Sequence, residues 1–274
     1  MTRGLTTAVA AWLVLAGCGF DLESLQGADP TTPITLGDAS APPEPDASTG
    51  HVVEPIEPVC GLPGQECCAG APTCELGACL RGMCSSFSGA VARGEGCSDP
   101  CVARNPFTAG CGCALGFETL PTGALTGTCG DGRATTVSLS FCDAGARSLR
   151  SEWGGVHLRV AAGESCGGGC VAPHPTTGDC TCPEGTEALP FTVGHRGACG
   201  EAEGTLTLCA PPEIGGAFAG AYQTDAAAPG GCATPNPYTG ACACPEESHA
   251  QRVPLTRPAS GGGLVAAPIT ICVF

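Results

Sequence analysis

A cysteine spacing, C-x3-C-x9-C-x-C, recurs along this chain, first as Cys97, Cys101, Cys111 and Cys113, then as Cys166, Cys170, Cys180 and Cys182. A third copy keeps C-x9-C-x-C in Cys232, Cys242 and Cys244. Each copy ends in a further cysteine on a β-prone run: Cys142, Cys209 and Cys272. With 23 cysteines in 274 residues, cross-links are expected to supply much of the stability. That needs an oxidising compartment and excludes a cytosolic enzyme. Only 4% of residues are aromatic, while 43 glycines and 25 prolines favour turns over long helices. This composition argues against a single large hydrocarbon core.

The third copy lacks two cysteines. Ala228 stands where the first should fall, and no cysteine occupies the stretch before Cys272. Losing one thiol strands its partner, so the two absent positions are read as partners of each other, which predicts disulfides Cys97–Cys129 and Cys166–Cys199. A bond inside C-x-C is geometrically poor, so the final cysteine of each copy is expected to bond to one member of that pair. Closing the loop from Cys97 to Cys129 is worth roughly 3 to 4 kcal/mol on the chain-entropy model. The third copy should therefore be the weakest unless a neighbour supports it.

The coarse secondary structure reads as β. Val156–Val160, 205–209, 135–141, 217–223 and 269–274 are β-prone or alternating runs bounded by glycine or proline, which predicts strands of five to seven residues. NPFTAG, HPTTGD and NPYTGA between the cysteines are reverse turns by chemistry. The expected fold is mainly β and built of small disulfide-rich modules. One cysteine knot (60–84) precedes three tandem β-rich repeats (87–142, 153–209, 218–274), which either stand as beads or close around a pseudo-threefold axis. The knot packs Cys60, Cys67, Cys68, Cys74, Cys79 and Cys84 into 25 residues. Adjacent Cys67 and Cys68 cannot easily bond to each other, so their partners lie on opposite sides.

The N-terminus carries an address. Arg3 precedes an apolar run over 5–17, too short to span a bilayer but right for an export signal. Leu15-Ala16-Gly17-Cys18 resembles the lipobox of bacterial lipoproteins. That resemblance implies cleavage after residue 17, lipidation of Cys18 and anchoring to the outer membrane or cell surface. Removing Cys18 leaves 22 cysteines, an even number that can all pair. Residues 19–59 hold eight acids, seven prolines and no arginine or cysteine, a composition expected to form an extended tether.

The net charge of −15, with 11 arginines and no lysine, argues against nucleic-acid partners. No G-x-S-x-G, H-E-x-x-H, phosphate-binding glycine loop or calcium loop occurs. No catalytic residue, metal or cofactor is therefore expected, and His51, His157, His174, His195 and His249 do not recur at equivalent places. The leading expectation is a surface-exposed binding or adhesion lipoprotein for a glycan or protein ligand. Phe107, Thr176 and Tyr238, which share one turn position, are its candidate ligand residues, and 191–196 and 236–240 are candidate loops. A structural envelope spacer is the alternative, and a hydrolase inhibitor acting through the knot is a more remote one. Non-reducing peptide mapping separates a cross-linked scaffold from thiolate chemistry.

Overall fold

The structure is a computed structural model that describes residues 60–144 apart from 62, 64, 71–73 and 76, then 153–161, then 169–274 apart from 199, 215, 226 and 227. The lipobox with Cys18, the acidic segment to residue 59 and the Cys166–Cys199 pair lie outside the described residues. Those residues form a mainly β, disulfide-rich fold with no α-helix among them. No described helix is long and apolar enough to cross a membrane.

The knot contributes a hairpin of β1 (Ala78–Leu80) and β2 (Met83–Ser85). Its bridges are Cys60–Cys68, Cys67–Cys79 and Cys74–Cys84, so the adjacent cysteines do take separate partners. Next come β3 (Phe87–Gly94), β4 (Cys101–Ala103), β5 (Glu118–Thr128) and β6 (Ala134–Asp143). They are followed by β7 (Val156–Val160), β8 (Gly169–Ala172), β9 (Glu187–Gly197) and β10 (Gly200–Ala210). The chain ends with β11 (Phe218–Thr224), β12 (Cys232–Thr234), β13 (His249–Val253), β14 (Thr256–Pro258), β15 (Leu264–Ala266) and β16 (Ile269–Val273).

The strand orders are β4-β3-β6-β5, β8-β7-β10-β9 and β12-β11-β16-β13, all pairs antiparallel. Each four-stranded module thus places its short second strand outside the first, and the last between the first and third. The first two modules join where Leu125 of β5 pairs with His195 of β9, giving one eight-stranded sheet. In the third module the outer hairpin is broken into β13–β14 and β15–β16, and Leu255 bridges to Gly127 of the first module.

Hairpin strands reach 11 residues in β5, β9 and β10, longer than the five to seven expected. Pro121 in β5 and Pro190 in β9 lie where the outer edge of the strand has no ladder partner, so the missing N–H leaves nothing unpaired. In β5 the register also shifts between Pro121 and Ala124, where Gly123 takes φ +92°. This is a bulge that bends the strand instead of ending it.

The three modules share one core, which corrects the expectation drawn from composition. Phe87, Trp153 and Phe218, each at or near the start of its module, are fully buried and meet one another. Ring centres lie 4.7 Å apart for Phe87–Trp153, 5.4 Å for Phe87–Phe218 and 6.0 Å for Trp153–Phe218, with Phe141 5.0 Å from Trp153. Buried Leu125, Val193 and Leu255 add one residue each from the three outer hairpins. Beyond them Thr126 donates its hydroxyl to the Thr256 carbonyl at 3.1 Å. A Cβ on Gly194 would stand 1.9 Å from that hydroxyl, so glycine lets the three hairpins converge. Aromatics are few, but they are concentrated where three sheets pool their apolar faces, and the remaining inward positions are small or aliphatic.

Ten disulfides join described residues. Cys101–Cys111, Cys170–Cys180 and Cys232–Cys242 each close a separation of 10. Cys113–Cys142, Cys182–Cys209 and Cys244–Cys272 tie the second cysteine of each C-x-C to the final one. Cys97 is bonded to Cys129. The third module, which has no such pair, carries instead an ion pair between Arg257 Nε and Asp225 Oδ2 at 2.6 Å, with side chains 22% and 9% exposed. Neighbours hold it too. Gln251 accepts from the Ala90 amide at 2.9 Å and donates to the Arg104 carbonyl at 2.7 Å. Gln223 accepts from the Thr192 amide at 3.1 Å and donates to the Thr192 carbonyl at 2.8 Å.

Because the core is common property, Trp153→Ala is expected to cost about 3 to 5 kcal/mol and to lower one cooperative transition. Denaturant unfolding followed by far-UV circular dichroism checks this: a biphasic curve in which one module melts alone contradicts it.

Candidate binding clefts

The turns that follow the second strands are each fastened by one buried polar side chain. Asn105, His174 and Asn236 are all buried. Asn105 Oδ1 accepts from the amides of Phe107 at 2.9 Å and Thr108 at 3.1 Å, while Nδ2 donates to the Ser88 carbonyl at 2.6 Å. Asn236 Oδ1 accepts from the Tyr238 amide at 2.9 Å, and Nδ2 donates to the Ala219 carbonyl at 3.0 Å. His174 fills the same role with its ring: Nδ1 accepts from Thr176 at 3.1 Å and Thr177 at 3.4 Å, and Nε2 bonds the Gly154 carbonyl. Each receiving carbonyl precedes a glycine, Gly89, Gly155 or Gly220, at φ +87°, +93° or +88°. A Cβ there would lie 2.3 Å from His174 Nε2 or from Asn236 Oδ1. These glycines sit two residues after Phe87, Trp153 and Phe218, so one local device links the turn to the aromatic centre.

The candidate ligand positions fall on these turns without forming a shared surface. Phe107 is half-buried against the core, with the Arg81 guanidinium 5.9 Å from its ring centre. Tyr238 is half-buried and donates its hydroxyl to the Pro211 carbonyl at 2.8 Å. Burial, and then the charge of Glu187, push its pKa up to about 12. Thr176 is exposed. None of the three lines a cleft described below. The segment 191–196 is not a loop: it lies within β9, and Phe191 and Val193 are fully buried. Alternation of apolar and polar residues across 189–193 was the signal for strand there.

Cysteine and histidine side chains come together in two places among the described residues. His157 lies within 4.8 Å of the sulfurs of Cys182 and Cys209, and Cys67, Cys74 and Cys84 form a second group. Every one of these cysteines is in a disulfide, so neither group offers the thiolates that a zinc or copper site would use. Burial pushes the pKa of His157 down, helped by His174 and Arg159.

Clefts occur where modules meet. Each short outer strand faces the third strand of a neighbouring module: β4 faces β13, β8 faces β5, and β12 faces β9. These edges are three or four residues long, and their coverage limits edge-to-edge pairing. The β12–β9 junction is closed by the Thr234 hydroxyl donating to the Pro190 carbonyl at 3.0 Å. The β4–β13 junction holds a cavity of about 370 Å³ beside Asp99, Val102, Arg252 and Pro254. The β8–β5 junction holds about 450 Å³ lined by apolar residues that include Leu120, Pro121, Val171 and Pro175.

A cavity of about 500 Å³ lies between the knot hairpin and the third module. Leu80, Met83, Ile214 and Phe274 line it, together with the exposed charges of Arg81 and Glu247. Met83 and Ile214 are 42% and 39% exposed. Glu247 has φ +66°, whereas Gly116 and Gly185, which follow the other C-x-C pairs at the same spacing, have +89° and +83°. A side chain is thus held in a left-handed conformation at the cleft, where glycine would be free of strain. The signal was present in the sequence, as CPEG at 182–185 against CPEE at 244–247, but it named no site until the knot closed the other wall.

No protein-family model matches the chain, and no curated protein or solved structure is significantly similar to it. The clefts and turns are therefore read on their own chemistry.

Two substitutions separate framework from site. Asn236→Ala, which strips partners from a buried carbonyl and amide, is expected to lower stability by about 1 to 3 kcal/mol. Glu247→Gly should raise it by about 1 kcal/mol by relieving the left-handed backbone. Urea titrations of both variants check the signs.

Proposed function

We propose that this protein is a lipid-anchored, surface-exposed binding module of the bacterial envelope that takes an apolar segment of a protein ligand in the cleft between the knot and the third module. The observation that carries the reading is the 500 Å³ cavity, in which aliphatic Leu80, Met83 and Ile214 and aromatic Phe274 sit beside two exposed charges of opposite sign. A concave apolar site with few polar groups is the usual form of a recognition pocket. A strained Glu247 at its wall supports the assignment, since such strain persists where function selects it.

A protein ligand is favoured over a glycan by where the aromatic faces are. Sugar recognition would use exposed rings, yet Phe87, Phe141, Trp153, Phe191 and Phe218 are fully buried. Phe107 is covered by Arg81, and the Tyr238 hydroxyl is already bonded. A non-catalytic role is supported by the chemistry of the groups present: His174 is spent on its turn, and the described cysteines are spent on cross-links. The lipobox cysteine Cys18 supplies the anchor in this reading, and the acidic, proline-rich residues 19–59 supply the reach.

Selection of peptides from a random display library on the exported protein tests the cleft. Binders enriched in aliphatic residues are expected, and Ile214→Asp should weaken them by at least about tenfold, or about 1.4 kcal/mol. Ile214 is exposed, so the fold should be untouched. A library that yields no binder, or binders indifferent to Ile214→Asp and Met83→Asp, overturns the cleft and leaves the spacer reading.

A further inference from the structure

The three turn anchors are not chemically equal. The site of Asn105, His174 and Asn236 demands one donor, aimed at the carbonyl before the glycine, and one acceptor, aimed at the turn amides. An asparagine amide meets that demand at any pH. An imidazole meets it only while neutral, with Nε2–H as donor and the Nδ1 lone pair as acceptor. We propose that His174 is an acid-sensitive latch: a proton taken from solvent onto Nδ1 turns the acceptor into a donor facing the Thr176 and Thr177 amides and releases the second module's turn, while the other two turns stay closed.

No rearrangement of the ring restores the site. The imidazolium carries N–H on both nitrogens, so turning it over leaves a donor facing the same amides. Space is also lacking, since a single Cβ on Gly155 would stand 2.3 Å from Nε2. The charged groups around the turn are of both signs. His157 on β7 faces the same region, where the corresponding residues two places after Gly89 and Gly220 are Val91 and Tyr222. Arg159 on β7 is a second positive neighbour of His157. Asp179 in the turn is the opposing charge on His174. It is exposed, and its Oδ1 accepts the hydroxyls of Thr177 and Thr181. Glu184 and Glu187 flank Thr186, whose methyl approaches Gly154, and both are exposed. β8 brings the disulfide-bonded Cys170 and no charge, and across the groove β5 brings Leu120 and Pro121.

Burial is the first cause that holds His174 below its ordinary value of 6.5, against smaller raising contributions from the Gly154 bond and from Asp179. With the closed-state value lower than the open-state one, the closed turn is fully favoured above about 6.5 and loses stability as pH falls below it toward the closed-state value. Release has a place to act. Pro173 and Pro175 flank His174, and both line the apolar β8–β5 groove with Val156 and Val171. Opening the turn therefore exposes apolar surface between the first and second modules. This site is separate from the knot cleft and does not depend on the reading of that cleft.

Amide exchange by NMR on the whole exported protein, with intrinsic exchange corrected at each pH, tests the latch from pH 7.5 down to 4.5. The Thr176 and Thr177 amides should lose about tenfold in protection for each unit by which His174 is depressed. The Phe107, Thr108 and Tyr238 amides serve as references in the same molecule and should not change. His174→Asn should keep the turn protected and abolish its pH dependence. The proposal is overturned if Thr176 and Thr177 stay protected through the His174 imidazole titration, if all three turns open together, or if His174→Asn leaves the pH dependence in place.

Discussion

The contact of Phe87, Trp153 and Phe218 is the constraint on which the rest depends. A four-stranded antiparallel sheet has one apolar face to cover, and among the described residues no module brings an α-helix to cover it. Each covers its face with the other two. The aromatic at the head of each module is within van der Waals reach of both counterparts, so the core forms only when all three are in place. This is why a chain with 4% aromatic residues can bury a continuous interior. It also explains why the outer hairpins are long: their far ends must reach the common centre at Leu125, Val193 and Leu255.

Covalent and non-covalent stability divide the labour within this plan. The bridges of separation 10 rigidify the turn and short outer strand, which have little apolar surface of their own, whereas the bridges from C-x-C to the last strand pin that turn region to the central ladder. Where the third module has no equivalent of Cys97–Cys129, the mostly buried Arg257–Asp225 pair and the side chains of Gln223 and Gln251 act on nearby backbone. Such a pair is a different kind of tie. It constrains the native state only, while a disulfide also restricts the unfolded chain, and breaking one partner of a buried pair leaves an uncompensated charge worth about 3 to 5 kcal/mol.

Much of this was legible from cysteine spacing and turn chemistry, because both are local. The separate partners of Cys67 and Cys68, the β-prone runs at Val156–Val160 and 269–274, and the reverse turns at Asn105, His174 and Asn236 follow from geometry over a few residues. What failed to show was long-range. Phe191 read as part of a loop because its neighbours Pro190 and Gly194 are breakers in isolation, yet one lies on an unpaired strand edge and the other sits against Thr126. The knot cleft joins residues 80 and 83 to 214, 247 and 274, a combination that no periodicity encodes. The shared core was hidden for the same reason: composition counts aromatics but does not say that they meet.

Three similar modules also make the chain its own comparison. Where a role is framework, the three solve it alike: glycine two residues after each head aromatic, a polar anchor at each turn, and a cysteine on each last strand. Departures from that agreement carry the information. Ala228 is matched nearby by an ion pair, so it is a change of fastening. His174 for asparagine preserves the geometry and adds a titration, and Glu247 for glycine adds strain beside the knot cleft. Neither of the last two improves the scaffold, since an asparagine and a glycine already serve the equivalent positions. Strain alone does not mark a site, since Ala109 takes φ +52° where Gly178 and Gly240 stand and lines none of the described clefts; what sets His174 and Glu247 apart is the apolar space each one borders.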